Sequence, residues 1–476
     1  MKKAFRLSAM TMLASAALVT AAVPALASVS ATQAIINNSQ SLKAAPSSAI
    51  TTGGSSFDAN LLNAAISLYK LHGANNGSAL AAYSSSSSGT GRAGVIGSTL
   101  NIGFSDVPLN YAGVDATASD YVQIPVALGG VAIIANLNFV SSVVESAVAP
   151  NTGADVTVTN VANGTQATIS AACKALFAKK PLLLDGATLA GIFNGDITSW
   201  SNSALETLNP LTVKLAAPKK AAVAASAHTP AKAETFTTVT VNCLSLLSQE
   251  TIKVISRTAG SGTTFMFTDY LNQVAPSKFA TATQAAFTAA SATASNSANL
   301  ASTVHSTDGS IGYVEYGYAL LNNETPAKVK NASGAVVTLT AKTVAAAAFD
   351  GLASIKANTT GCPNGFSLNG GTYTTGTPNV NTACFSINNA GVAGDYPIAG
   401  FSYAITPKTT TVNSTNTAIA KFLIFLSQQG KATSADTTFG QNLASAQAYV
   451  ALPFAVSDAA FAAIQAGLGG NVASNN

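Results

Sequence analysis

The sequence predicts an α/β fold built in more than one lobe, and three observations predict it. The chain has 476 residues, long enough for two or more cores. Segments that read as strands alternate with segments whose apolar residues fall at helical spacing, the arrangement that makes largely parallel sheets covered by helices. Hydrophobic residues make up 48% of the chain and charged residues 9%, against roughly 25% charge in ordinary globular proteins. Disorder requires the opposite balance.

The elements follow in chain order. Residues 1–27, MKKAFRLSAMTMLASAALVTAAVPALA, have a basic start, an apolar middle and an A-x-A ending at Ala25 and Ala27. They read as a secretory signal peptide cleaved before Ser28, which makes the protein periplasmic or secreted. No cysteine lies near the cut, which argues against a lipid anchor. Residues 28–50 read as a frayed leader. A loop at 53–58 opens an amphipathic helix carrying Leu61, Leu62, Ala65, Leu68 and Tyr69. Residues 80–83 are a short strand candidate, and 100–109 pair a strand with a loop. Residues 123–136 read as strand, glycine kink, strand. Residues 141–180, rich in Thr, Asn and Ala, read as an irregular insertion or extra strands. A helix starts near Thr188. Residues 214–235 are expected to form a mobile surface excursion. Residues 311–319 read as a strand, 357–386 as a cysteine-bounded insertion, and 397–407 as a late strand. Helices over 418–427 and from Asp458 onward close the chain. No internal repeat is visible.

The formal charge of +4 includes Lys2, Lys3 and Arg6 of the leader. Without them 20 basic residues face 19 acidic ones, a net charge of about +1. Such a chain has no basic field for nucleic acid or an anionic membrane, so recognition of an anion must be local. Four cysteines suit an oxidising compartment. The expected pairs are Cys362–Cys384 and Cys173–Cys243, one of the three connectivities that four cysteines allow. No C-x-x-C spacing occurs, and His72, His228 and His305 adjoin no cysteine, so a zinc site is not expected. No cofactor is expected either.

Three loops share one character: Ser55-Ser56, Ser88-Gly89-Thr90-Gly91 and Ser261-Gly262-Thr263-Thr264. Each is small, hydroxyl-bearing and placed just ahead of a helix. Helix N-termini offer unpaired N–H groups and a positive dipole end. Glycine lets backbone approach a ligand, and Ser or Thr adds a hydroxyl donor. Alone, each loop most often just caps its helix. Together, with Arg257 supplying a planar fork for paired oxygens, they describe an oxyanion site with almost no formal charge.

Seven segments in chain order then resemble one family. GGSSF (53–57) resembles its G-A-x-[AS]-[TS]-F, and Tyr83 through Gly91 its Y-x-x-x-G-S-G-G-G loop. GFSDVPL (103–109) resembles G-A-S-D-x-P-L, and QIPVALGGV (123–131) resembles Q-[FI]-P-x-x-x-G-G-V. TLAGIFNGDITSW (188–200) resembles T-L-x-x-I-[FY]-x-G-x-I-x-x-W. RTAGSGTTF (257–265) resembles R-x-D-G-S-G-T-[ST]-F, and IGYVEYGYA (311–319) resembles I-G-Y-V-E-Y-A-Y-A. The family is that of the periplasmic phosphate-binding proteins of the phosphate ABC importer, the PstS-like proteins, with their extracellular DING-type relatives. The resemblance covers about residues 50–460, interrupted near 141–180, 212–250 and 357–386.

What it implies is a two-lobed type II periplasmic binding protein. Residues 48–133 and 401–476 would form one lobe and 134–400 the other, with crossings near 130–136 and 401–406. Inorganic phosphate would lie between the lobes, held by Ser56, Ser88, Asp106, Arg257, Ser261, Gly262 and Thr263. Membrane subunits of an ABC importer would be the partner, and a monomer is expected. Asp106 would accept the proton of hydrogen phosphate and reject sulfate, which has no proton to give. One departure stands out: the family's acid two residues after the arginine is Ala259 here. Trp200 reads as packing and Arg92 as a solvated helix residue. No nucleophile–base pair is evident, so no enzyme is expected. The alternatives are a secreted relative with phosphatase activity and an extracellular surface or matrix protein that has lost transport.

Overall fold

The computed structural model describes residues 48–72, 80–109, 120–139, 169–220, 235–357, 386–428 and 440–473. Its strands are β1 (Thr52–Gly54), β2 (Ser84–Ser85), β3 (Ile102–Ser105), β4 (Tyr121–Ala135), β5 (Leu183–Leu184), β6 (Thr212–Lys220), β7 (Thr235–Asn242), β8 (Lys253–Arg257), β9 (Ala290–Ala294), β10 (Ser310–Glu315), β11 (Lys328–Lys330), β12 (Val336–Val337) and β13 (Ala399–Pro407). One eight-stranded sheet has the order β2-β1-β3-β13-β4-β10-β8-β9, and β12-β11-β5 and β6-β7 form smaller sheets. Helices alternate with these strands, so the α/β class is the one the sequence predicts.

The strand pairing corrects one expectation. It is mixed rather than largely parallel: β1 runs parallel to β2 and β3, β8 to β9 and β10, and β11 to β5. The antiparallel pairs come mainly from two long strands. β13 returns from late in the chain against both β3 and β4, and β4 pairs with β10 over its last residues. Apolar periodicity marks a strand without stating its direction.

β4 is one strand of 15 residues, not two about a kink. Its two glycines answer to space. A Cβ on Gly129 would fall 2.8 Å from the Phe57 ring, and one on Gly130 2.4 Å from a Leu339 methyl. The strand also links two apolar clusters. Val122, Ile124 and Val126 pack with Leu62, Tyr69, Phe104 and Phe422, whereas Leu128 and Val131–Ile134 pack with Phe267, Tyr313 and Trp200. Helix Ser414–Ser427 is buried on all sides from Ala418 to Ser427. Its Phe422 and Phe425 flank Tyr69 with ring centroids 5.2 and 5.0 Å away. Such pairs add about 0.5–1.5 kcal/mol each beyond burial.

Four further segments differ from expectation. Leu80 forms a single bridge to Ile50, and the strand lies at Ser84–Ser85. Residues 311–319 are not one strand: β10 stops at Glu315 and helix Tyr316–Leu321 follows. Within 141–180, residues Ile169–Lys179 are helical. The excursion expected over 214–235 begins and ends as a hairpin of β6 and β7, because alternating Thr, Phe and Val in TFTTVTVN suits an extended chain. Helix Gly186–Asn194 starts as expected, behind an Asp185–Thr188 capping box. Cys173 and Cys243 are joined across 70 residues, a closure worth about 4 kcal/mol in the chain-entropy account. The leader at 1–27 and the Cys362–Cys384 pair lie outside the described residues. Among the described residues, no helix is long and apolar enough to cross a membrane.

Candidate functional site

β1 ends in Gly54 at φ +135°, where a Cβ would sit 2.2 Å from the Phe104 carbonyl oxygen. Only glycine fits there, and the turn it allows delivers Ser55 and Ser56. The Ser55 hydroxyl lies 2.8 and 2.7 Å from the two oxygens of Asp106 and donates to them. Asp106 follows β3. Its loop is held from β4 by Gln123, whose Oε1 accepts from the Leu109 N–H at 2.6 Å.

Helix Ser88–Ile96 is capped by Ser87, which accepts from the Thr90 N–H, and so Ser88 is free to point elsewhere. Its hydroxyl donates to Asp106 Oδ2 at 3.1 Å and accepts from the Asp106 N–H at 3.0 Å. The third loop closes on this pair. Gly260, at φ +92°, accepts from the Gly89 N–H at 3.0 Å. Ser261 caps helix Gly262–Val274 by accepting from the Thr264 N–H. Gly262 abuts both partners of the second loop: a Cβ there would meet Ser88 Oγ at 2.2 Å and Asp106 Oδ2 at 2.3 Å. Thr263 Oγ1 is buried and has no hydrogen-bond partner.

Arg257 closes β8 and is 2% exposed. Its Nη1 donates to Ser56 Oγ at 3.1 Å and to Ser297 Oγ at 3.0 Å, and its Nη2 donates to the Ser295 carbonyl at 3.1 Å. Its own N–H donates to the Tyr313 hydroxyl. Arg257 Nε is buried without a partner. With Ala259 in place of an acid, no described carboxylate forms an ion pair with the guanidinium; hydroxyl and carbonyl oxygens orient it instead. Burial pulls the Arg257 pKa down, and the neighbouring acidic groups Glu315, Tyr313 and Asp106 oppose that.

All seven sequence-predicted residues are therefore buried and contiguous. Ser56 meets Arg257, Ser88 meets Asp106, and Gly262 adjoins both members of that second pair. Ser261 differs in detail, since its hydroxyl is engaged as a cap. Two other expectations meet different outcomes. Arg92 is not a solvated residue: it is buried, with Nη1 donating to Ser105 Oγ and Nη2 to Gln284 Oε1. Gln284 also donates to the Gly260 carbonyl, so Arg92 helps hold two site loops together. Its helix lies flat on β3, with a Cβ at Gly91 falling 2.2 Å from the Phe104 carbonyl, which turns Arg92 inward. Trp200 is fully buried, as expected, and its Nε1 donates to the Gly309 carbonyl.

Sequence reasoning missed Asp58, Ser297 and Glu315. Ser297 bridges Ser56 and Arg257. Glu315 is 1% exposed, and neither carboxylate oxygen has a hydrogen-bond partner. Burial drives its pKa well above the carboxylate range, against the pull of Ser297 and Arg257. Burial likewise raises Asp106, opposed by the hydroxyls of Ser402, Ser55 and Ser88 and by Arg257. Glu315 lies inside one of the seven quoted segments and was within reach; Ser297 had no distinguishing sequence context. The described histidine side chain, His305, is 64% exposed and pairs with Glu324 away from these loops. Among the described residues, no cluster of His, Cys, Asp or Glu is arranged to hold a metal.

The family model of the PBP superfamily domain matches residues 38–429. The phosphate-binding protein PstS of Xylella fastidiosa is 28% identical over 269 residues, 56% of this chain and 54% of its own. The chain thus spans about half the length of that curated relative. The solved structure of a high affinity periplasmic phosphate-binding protein, PfluDING, superposes with a TM-score of 0.51 at 18% identity, covering 86% of this chain and 92% of that one. The phosphate binding protein of Stenotrophomonas maltophilia gives 0.50 at 18% identity, covering 87% and 94%. These two structures share the fold.

Proposed function

The chain belongs to the PBP superfamily, and on that premise we propose that it captures inorganic phosphate between two lobes and presents it to the membrane subunits of an ABC importer. The observation that carries this reading is the contact of Gly262 with Asp106 and Ser88. It sets a carboxylate against a helix N-terminus, a serine hydroxyl and, through Ser56, a guanidinium. Donors in that pattern favour an oxyanion. The acid among them favours one that still carries a proton, and hydrogen phosphate does. The relatives named as phosphate-binding proteins support the same ligand.

The ligand set is Ser56, Ser88, Asp106, Arg257, Ser261, Gly262 and Thr263. Arg257 Nε and Thr263 Oγ1 are donors with nothing else to bond. Ser261 contributes through its backbone, its hydroxyl being engaged. The lobes are 48–133 with 401–476, and 134–400, crossing near 130–136 and 401–406. β4 passes from one apolar cluster to the other between Val126 and Ala127, which supports two lobes, and the larger cluster also takes in Phe57, Tyr403 and Tyr449 where they would meet. Closure of such lobes buries the anion. About ten hydrogen bonds to a charged ligand, at roughly 1–3 kcal/mol each before ordering costs, suffice for micromolar or tighter capture. The reading is of binding rather than hydrolysis, in the periplasm or outside the cell, and the relatives named as phosphate-binding proteins support it. The experiment is calorimetric titration of the chain lacking residues 1–27 with phosphate and sulfate. Micromolar or tighter phosphate binding with negligible sulfate binding is expected; absence of phosphate binding overturns the reading.

A further inference from the structure

Asp58 is a second acid at the site and is fully buried. Its Oδ2 lies 2.8 Å from Ser402 Oγ on β13, and its Oδ1 lies 3.3 Å from the Tyr83 hydroxyl. Tyr83 is closer to the Ser55 carbonyl, at 2.6 Å, and commits its single proton there. β13 runs antiparallel to β3 with Tyr403 opposite Ser105, which sets Ser402 level with Asp106, so the hydroxyl that bonds Asp58 stands beside a second carboxyl group and lowers the pKa of both. A hydroxyl has one proton to donate. Were both acids ionised, Ser402 would satisfy one and leave the other a buried anion, and such isolated charges are costly enough that the group takes up a proton instead. Asp106 has the advantage, with donors from Ser55 and Ser88 and the nearby charge of Arg257. Asp58 has no described cation partner.

We propose that Asp58 keeps its proton and donates it in a hydrogen bond to Ser402 Oγ, so that the Ser402 hydroxyl turns its own proton to Asp106, and that ionisation of Asp58 sets the alkaline limit of oxyanion capture. The arrangement makes Asp58 a positioning residue: it keeps Asp106 the sole ionised acceptor at the site without touching the ligand. The proposal rests on the oxyanion reading above. Other titratable groups facing Asp58 are consistent with it. Tyr83, Tyr449 and Tyr318 are all held neutral by burial, and Arg257 and Glu315 lie on the Asp106 side. Burial first, and the Asp106 charge second, push the Asp58 carboxyl well above the ordinary range.

The test compares the native chain with Asp58→Asn. Phosphate affinity is measured by calorimetry through the alkaline range, where the ligand remains hydrogen phosphate, and infrared spectra report protonated carboxyl groups at neutral pH. In the native chain, affinity should fall with a slope approaching tenfold per pH unit, the signature of one proton. Asp58→Asn should lose that slope and one protonated-carboxyl band. Ser402→Ala provides a second variant should Asp58→Asn fail to fold, and it should shift both the band and the alkaline limit. Equal alkaline slopes in the native chain and the folded variant, or no band assignable to Asp58, would overturn the proposal while leaving phosphate binding intact. Absence of phosphate binding at every pH would instead overturn the oxyanion reading, and this proposal with it.

Discussion

Gly262 and Asp106 lie so close that a Cβ at 262 would fall 2.3 Å from the carboxylate oxygen Oδ2, and 2.2 Å from the Ser88 hydroxyl. Neither neighbour has room to retreat: both are buried, and they hydrogen-bond each other. Gly262→Ala should therefore push Asp106 and Ser88 off their positions. The expected cost is about 1–3 kcal/mol of stability and at least about a hundredfold in phosphate affinity, roughly 2.7 kcal/mol. Thermal unfolding and calorimetry on the variant check both.

Arg257 carries the second prediction. Its two terminal nitrogens reach Ser56, Ser297 and the Ser295 carbonyl, a fork that a lysine cannot reproduce. Arg257→Ala should abolish phosphate binding. Arg257→Lys keeps the charge and should still weaken binding by about tenfold or more, roughly 1.4 kcal/mol. Full affinity in the lysine variant would mean that charge alone matters at this position.

How far the sequence reveals this site depends on how local each signal is. Gly-Ser-Thr loops before helices announce themselves within a few residues, so Ser56, Ser88 and Ser261–Thr263 were legible. Asp106 and Arg257 were legible through the segments around them. Partners that arrive from far along the chain were not. Ser56 meets Ser297 across 241 positions, and Asp58 meets Ser402 across 344. Asp58 also stands directly before helix Ala59–His72, where an aspartate normally reads as a cap. Arg92 was misread because helical spacing shows which residues share a face but not which face meets a sheet. Strand direction failed for a related reason: β13 lies more than 260 residues beyond β4, and nothing local states which way it returns.

Buried acids give the fold an uncommon pH dependence. Asp58, Glu315 and Asp269 all have pKa values raised by burial. Each holds its proton in the folded state at pH values where the unfolded chain has released it. The native state then binds more protons, and stability falls as pH rises from the ordinary carboxylate range, about pH 4, toward each raised value. Denaturant unfolding at about pH 5 should show a more stable protein than at about pH 8. Glu315→Gln removes one titrating group, and should reduce that slope by up to about 1.4 kcal/mol per pH unit. An unchanged slope would mean that Glu315 is ionised in the folded protein.

The sulfate-to-phosphate ratio in Asp106→Asn tests the central claim most directly. On the proposed reading, ionised Asp106 accepts a proton that hydrogen phosphate can give and sulfate cannot, so it would repel sulfate and leave it unpaired. An amide at 106 removes both penalties. Competition calorimetry should show phosphate affinity lowered, sulfate affinity raised and the gap between them narrowed by at least about tenfold. A ratio identical to that of the native chain would contradict the account, because it would mean that the carboxylate between Ser55 and Ser88 does not face the ligand.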